Sequence, residues 1–217
     1  MSDFISSMSV AFAALTFIFG VSAWKREFIG RKKIDLYEKA LNHIYKAKES
    51  IGYIRMPISS QSEGSTRKKG PNETSEKSEI LDRAFVTMER FKKSNTLFDE
   101  IRILHHQINL ISDDATVNIF NTFHSNLDKL YRAARIHPQL VLNQSENPRD
   151  SLNSQLIDNL KIIYSSGDDE IENNVNDLLD IISLLYSREL ISRYNFCRNK
   201  EFIKKINHIK NKYSDKK

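Results

Sequence analysis

From Phe4 to Trp24 the chain runs 21 residues without a charged side chain. Beyond Lys25 the pattern changes, and apolar positions recur every three or four residues. As a helix the uncharged stretch measures about 31 Å, the thickness of a bilayer hydrocarbon core. Its polar members, Ser6, Ser7, Ser9, Thr16 and Ser22, can bond their own helix backbone. Trp24 stands where an interfacial aromatic belongs, and Lys25, Arg26, Arg31, Lys32 and Lys33 follow as the basic flank that stays on the cytoplasmic side. Residues 1–24 are therefore expected to be a transmembrane anchor in the plasma (inner) membrane. The N-terminus lies outside, the remainder in the cytoplasm, and the bilayer is the first partner. The rival is a cleaved signal peptide ending at Val21-Ser22-Ala23, but the segment has no basic residues before it and too long an apolar core.

The periodic part begins with a juxtamembrane basic helix over 25–56. Ile34, Tyr37, Leu41, Ile44, Ile51 and Ile54 line one face, and Glu27/Arg31 and Asp35/Lys39 are favourable i,i+4 pairs on the other. It is expected to continue the anchor as one rod, bent at most slightly at Gly30, until Pro57 ends it. Residues 57–75, rich in Ser, Gly and charge, read as a flexible loop. Asn72, Thr74 or Ser75 can cap the next helix, 76–111, whose inward side holds Leu81, Ala84, Phe85, Met88, Phe91, Phe98, Ile101, Leu104 and Ile108. Ser112-Asp113-Asp114 breaks and recaps the chain into a third helix with Ile119, Phe120, Phe123, Leu127, Leu130 and Tyr131 inward, which His137-Pro138 should stop. A shorter helix over 151–164 follows. Gly167-Asp168-Asp169-Glu170 then starts a last helix over 169–210, with Ile171, Val175, Leu178, Ile182, Leu185, Tyr194 and Ile206 on its apolar face. A basic tail, 211–217, closes the chain. No strand-like alternation occurs, so the fold predicted is all-α: one N-terminal transmembrane helix, then a cytoplasmic antiparallel bundle over 76–210 completed by 34–56.

Composition sharpens this picture in two ways. One cysteine, Cys197, excludes an intramolecular disulfide and any paired-cysteine metal site. The net charge of +5 is unevenly spread. Residues 25–55 carry nine basic and four acidic side chains, and residues 198–217 carry eight and two, which leaves 56–197 at −5. A mildly acidic body between basic flanks is not the continuous basic face of a nucleic-acid binder, and nucleic acid is not expected as a partner.

Few residues suggest chemistry. Adjacent His105 and His106 diverge by about 100° on a helix and have no carboxylate neighbour on either face, so a structural or surface role is expected. His124 and Asp128 share a face at i,i+4, but two ligands do not make a metal site and a surface pair is the simpler reading. The acidic pairs Asp113-Asp114 and Asp168-Asp169 suit helix starts. Ser65, Thr66, Arg67, Lys68 and Lys69 form a candidate anion-binding loop of hydroxyls and cations between Gly64 and Gly70. It lacks the spacing of a phosphate-binding loop and follows no strand. No cofactor, metal or catalytic set is expected.

The block Trp24-Lys25-Arg26-Glu27-Phe28-Ile29-Gly30-Arg31-Lys32-Lys33-Ile34-Asp35-Leu36 resembles the juxtamembrane segment of a family of uncharacterised small bacterial single-span membrane proteins with a cytoplasmic helical domain. So do Glu63-Gly64-Ser65-Thr66-Arg67, Asn72-Glu73-Thr74, Leu81-Asp82-Arg83-Ala84-Phe85-Val86 with Glu89-Arg90, and Gly167-Asp168-Asp169-Glu170-Ile171. The resemblance implies no activity. The reading is a non-enzymatic, membrane-tethered helical interaction or scaffold protein whose partner is another protein or a second copy. The alternative is an enzyme or sensor that binds a phosphate-bearing molecule through the 63–70 loop.

Overall fold

The computed structural model describes residues 2–60, 62–71, 73–164, 169–192 and 200–214, with side chains described for all of these except 2–7, 10, 11, 191, 192, 200–203 and 214. Six helices account for it: α1 (Ser2–Ile54), α2 (Ser75–Asn109), α3 (Asp114–Glu146), α4 (Asp150–Ile163), α5 (Glu170–Ser192) and α6 (Lys200–Ser214). The described residues form no strand, and the fold is all-α.

The single helix α1, 53 residues long, does two different things along its length. Its second half is a core element: Tyr37, Ala40, Ile44, Ala47, Ile51 and Ile54 recur at three- and four-residue spacing and are buried. Its first half adds no described side chain to the core. No described side chain before Tyr37 is buried, so α1 projects about 50 Å from the bundle. Phe12, Leu15, Phe17, Ile18, Phe19 and Val21 lie on all sides of the projecting part, and Phe17 is 73% exposed. Gly30 introduces no break. Among the described residues no helix is long and apolar enough to cross a membrane. Of the predicted span, the unbroken run with described side chains is Phe12 to Trp24, 13 residues and about 20 Å. Phe4–Ser7, Val10 and Ala11 lie outside it.

The bundle is built from the buried half of α1 with α2, α3 and α5, each packed against two of the others. Neighbours run antiparallel, as cross-links at their ends show. Tyr37 meets Ser112 at 3.3 Å and His43 meets Glu100 at 3.2 Å, tying α1 to α2; Lys77 and Glu146, 2.8 Å apart, tie the start of α2 to the end of α3. α4 and α5 run end to end along α3. Asn159 of α4 donates to the Ala133 carbonyl, while Lys129 reaches Glu170 at the start of α5. The core is one cluster centred on Phe91, Phe98, Phe120, Phe123, Leu130, Leu178 and Ile182.

Three boundaries differ from the sequence reading, each for a physical reason. Pro138 does not end α3, which runs on to Glu146 with the proline inside it. An internal proline removes one ladder bond and costs about 3 kcal/mol. Here α4 packs across the site, where the Asn159 side chain bonds the carbonyl of Ala133 at 3.1 Å and the His137 ring at 3.1 Å, so the weakened turn is held from outside. The expected last helix over 169–210 is two helices, and α6 turns back antiparallel to α5. Tyr194 and Cys197 lie outside the described residues. Finally, the basic tail does not begin free at 211. Ile206, Ile209 and Tyr213 are buried. The Tyr213 hydroxyl donates to Asp177 at 2.8 Å and accepts from Asn174 at 3.2 Å, and burial pushes it up to about 12. Lys205, Lys210 and Lys212 pair with Asp180, Asp113 and Asp177. The basic end of the chain neutralises part of its own acidic body.

The buried Tyr213 gives a sharp expectation. A soluble piece from Ile34 to Lys217 should show a strongly helical circular dichroism spectrum and melt cooperatively. The same piece ended at Lys210 loses Tyr213 and Lys212 and should unfold with stability lower by about 3 kcal/mol. Equal melting of the two would place α6 outside the folding unit.

Candidate functional site

The densest polar assembly lies where α1 ends. Helix C-termini leave carbonyls without intrahelical partners, and two buried arginines satisfy them. Arg90 of α2, 1% exposed, uses all five of its N–H groups. Nη1 donates to the carbonyls of Tyr53 (3.0 Å) and Met56 (2.7 Å), and Nη2 to that of Ile58 (2.7 Å). Nη2 and Nε also hold both oxygens of Glu63, at 2.7 and 3.1 Å. The guanidinium lies 4.6 Å from the Tyr53 ring, and the Tyr53 hydroxyl donates to the same Glu63. Arg55, 2% exposed, reaches the other way. It donates to the carbonyls of Ile162 (3.2 Å) and Tyr164 (3.1 Å) at the end of α4 and pairs with Asp169. Asp169 in turn accepts from the Glu172 amide in the first turn of α5. A single chain position, the end of α1, is thereby tied to α2, α4 and α5.

From this junction the loop over 57–73 lies along α2 and covers it. Ala84, Val86, Thr87, Met88, Arg90 and Phe91 are all buried, more than one helix face supplies, because the bundle covers one side and the loop the other. Gly64 adopts φ +86, and a Cβ there would fall 2.0 Å from the Asp82 carbonyl oxygen. Glycine is required by both conformation and space. Its amide donates to Glu89 at 3.0 Å, beside the Thr66 hydroxyl at 2.8 Å. Arg67 donates to Asp82 (3.0 Å) and Glu73 (2.9 Å), and Thr74 caps α2 by accepting from the Lys77 amide.

Electrostatics follow from these partners. Arg90, with the Tyr53 hydroxyl, holds the Glu63 carboxyl down at about 2. Arg67 lowers Glu73. Burial pushes Glu89 up, but the Thr66 hydroxyl, the Gly64 amide and Lys93 outweigh it and leave the carboxyl below its usual range. A half-open cleft of about 830 Å³ runs beside the loop, lined by Glu63, Glu73, Glu79 and Asp82 with Lys69, Arg83 and four serines.

This geometry changes the reading of the candidate anion-binding loop. Ser65 bonds the Ser62 carbonyl, Thr66 serves Glu89, and Arg67 is spent on two carboxylates. Arg67 is half-buried and the other four are exposed, with Lys69 beside an acidic cleft, so the loop braces α2 through Thr66 and Arg67. Likewise the segment expected to be flexible is tied to α2 through Ile58, Glu63, Gly64, Thr66 and Arg67. Trp24, Lys25, Arg26, Arg31, Lys32 and Lys33 sit far from it on the projecting part of α1, where Trp24 stacks on Phe28 at 5.6 Å and Glu27 pairs with Arg31.

The histidines also depart from expectation. His105 is buried, as a structural role requires, but His124 does not pair with Asp128. It turns inward, 5.2 Å from His105 across the α2–α3 interface, and burial, with His105 beside it, lowers it to about 4. Among the described residues no group of three or more His, Cys, Asp or Glu is placed to hold a metal ion.

Reading from the sequence missed Arg55 and Arg90, because nothing in the pattern separates a buried arginine from a surface one. The one available signal was the run Ala84–Phe91, too apolar for a helix solvated on one side. The class defined by this fold is an all-α bundle one of whose helices, α1, projects beyond the core. Comparison with protein-family models, with curated proteins and with solved structures gives no match.

Two measurements test the junction. Arg90→Met takes the buried cation from Glu63 and a donor from each of three carbonyls and should cost about 3–5 kcal/mol in urea unfolding; Gly64→Ala should also destabilise, whereas Lys68→Ala should be neutral. The pH profile has two windows. His124, ordinarily at 6.5 and folded at about 4, favours the neutral form in the fold, so stability falls as pH drops from 6.5 toward 4. Glu63, ordinarily at 4.5 and folded at about 2, contributes stability that is lost from 4.5 toward 2. His124→Leu should shrink the first window, to which buried His105 and His137 also contribute, and leave the second.

Proposed function

We propose that the protein is a membrane-tethered helical interaction module, anchored by the uncharged segment Phe4–Trp24 with the bundle on the cytoplasmic side. One observation carries this reading. The projecting half of α1 exposes large apolar side chains all round, including Phe12, Phe17, Phe19 and Trp24, and none of its described side chains before Tyr37 is buried. A helix apolar on every side belongs in a nonpolar surrounding. The five basic residues from Lys25 to Lys33 then orient it and lie within reach of anionic lipid, at about 1 kcal/mol per residue near the surface.

The resemblance to small bacterial single-span proteins supports the same reading from another side. Besides the block Trp24–Leu36, several of the stretches that carry it, Glu63–Arg67, Glu73-Thr74, Asp82 and Glu89-Arg90, meet at the junction beyond the end of α1. A role in presenting the bundle, without catalysis, suits residues that spend their charges on one another. Phosphate capture through the 63–70 loop loses its main support, because Arg67 is already paired twice.

A reporter fused after Lys217 should be active only in the cytoplasm; activity on the far side of the membrane would overturn the topology. Neutralising Lys25, Arg26, Arg31, Lys32 and Lys33 together should scramble orientation in the same assay. Full recovery of the protein in the soluble fraction after lysis would refute anchoring altogether.

A further inference from the structure

His105, His124 and His137 are shut in where α3 meets a neighbouring helix. His105 of α2 and His124 of α3 face each other with ring centres 5.2 Å apart. Nε2 of His105 and both ring nitrogens of His124 are buried without a hydrogen-bond partner. Farther along α3, His137 is 5% exposed and lies against α4. Asn159 there donates through Nδ2 to the Ala133 carbonyl at 3.1 Å, so its Oδ1 accepts from Nδ1 of His137, also at 3.1 Å. Among the described residues none of the three rings pairs with a carboxylate, whereas His43 of α1, less deeply placed, lies 3.2 Å from Glu100.

We propose that α3 is the acid-sensitive element of the bundle: protonation of His105, His124 and His137 loosens its contacts with α2 and α4 while the end of α1 stays clamped to α2 and α5. An imidazolium carries two N–H donors, and a charge buried without a partner is costly. The groups facing these rings supply no partner. From α2, His124 meets His105, the Arg102 cation and His106. Asp99 of α2 pairs with Arg102 at 3.4 Å, and no bond joins His124 to Asp128, one turn on along its own helix. His105 meets Phe120 and His124 from α3 and His106 beside it. His137 has only the Asn159 oxygen from α4. A proton is therefore accommodated by parting the helices rather than within the closed contact.

The clamp responds in the opposite sense. Burial lowers all three imidazoles, His124 to about 4, so below 6.5 the parted form takes up protons that the closed form refuses, and each ring favours parting increasingly as pH falls. Glu63, bonded by Arg90, stands at about 2. Burial pushes Asp169 up, but Arg55 and the Glu172 amide outweigh it and leave the carboxyl below its usual range. Both clamp carboxylates thus keep their charge through the window from about 6.5 to about 4 in which the histidines gain theirs.

Hydrogen exchange of the full chain, purified in detergent, tests this at about pH 7 and about pH 4.5, with rates corrected for the intrinsic effect of pH. At the lower pH, amides over 119–137 of α3 and those of α4 should lose protection about tenfold or more, beyond any loss over 44–54 of α1 and 84–91 of α2. The double variant His105→Gln, His124→Leu should regain protection over 119–127 with α4 still released. His137→Gln, whose amide can still bond Asn159, should do the reverse, and the exposed His106→Gln should keep the parent's profile. Protection lost in every helix together, an α3 as firm at about pH 4.5 as at about pH 7, or a loss over 119–127 that persists in the double variant overturns the proposal. The parent's profile alone decides the first two, so a variant that folds poorly leaves the test intact.

Discussion

A guanidinium with five N–H groups and no route to water must find five acceptors, and Arg90 finds all of them at one place. Three are carbonyls at the end of α1 and just past it, and two are the oxygens of Glu63. The positive charge sits at the negative end of the α1 dipole, so capping, ion pairing and aromatic stacking on Tyr53 act at a single point. Removing any acceptor strands a charged donor in a low-dielectric site, where the penalty far exceeds the worth of a surface pair. One side chain therefore holds Tyr53, Met56, Ile58 and Glu63 together.

Arg55 extends the same logic. It stands one residue past α1, and its charge is shared between the last carbonyls of α4 and the capping carboxylate of α5. The break between α4 and α5 needs such a partner, because two helix ends meet there with opposite dipole signs and unsatisfied groups. The two arginines point to opposite sides of the α1 terminus, and between them every long element except α3 is joined to it directly.

Periodicity made the helices and most of the core legible. Tyr37, Ile44, Phe91, Phe120, Leu130 and Ile182 were readable as inward from spacing alone, because apolar burial follows the helical repeat. What the repeat does not encode is a side chain whose partner is distant in sequence. Arg90 and Glu63 are 27 residues apart, and Arg55 and Asp169 are 114. Pro138 misled for the same reason: local preference ends a helix there, and tertiary contact with Asn159 sustains it. Gly64 was visible as a loop residue, but its necessity comes from the closeness of the Asp82 carbonyl. The 63–70 loop looked like an anion site because its cations were legible and the carboxylates that consume them were not.

The continuity of α1 has a mechanical consequence for the anchoring proposed above. Tethered domains usually hang from flexible linkers, whose reach varies with the square root of length. On that proposal the helix that enters the bilayer is the one that fills the core, and it has no break between Trp24 and Tyr37. The stalk between those residues is helical, about 20 Å long, and carries most of the basic flank. The bundle is then held at a set height and rotation relative to the membrane, and the junction at Arg55 and Arg90 lies at its far end. Rotation or tilt of the span is transmitted along α1 as a rigid-body motion to the elements those two arginines clamp. A surface meant only to be tethered does not require that rigidity, whereas one that must face a particular direction above the bilayer does.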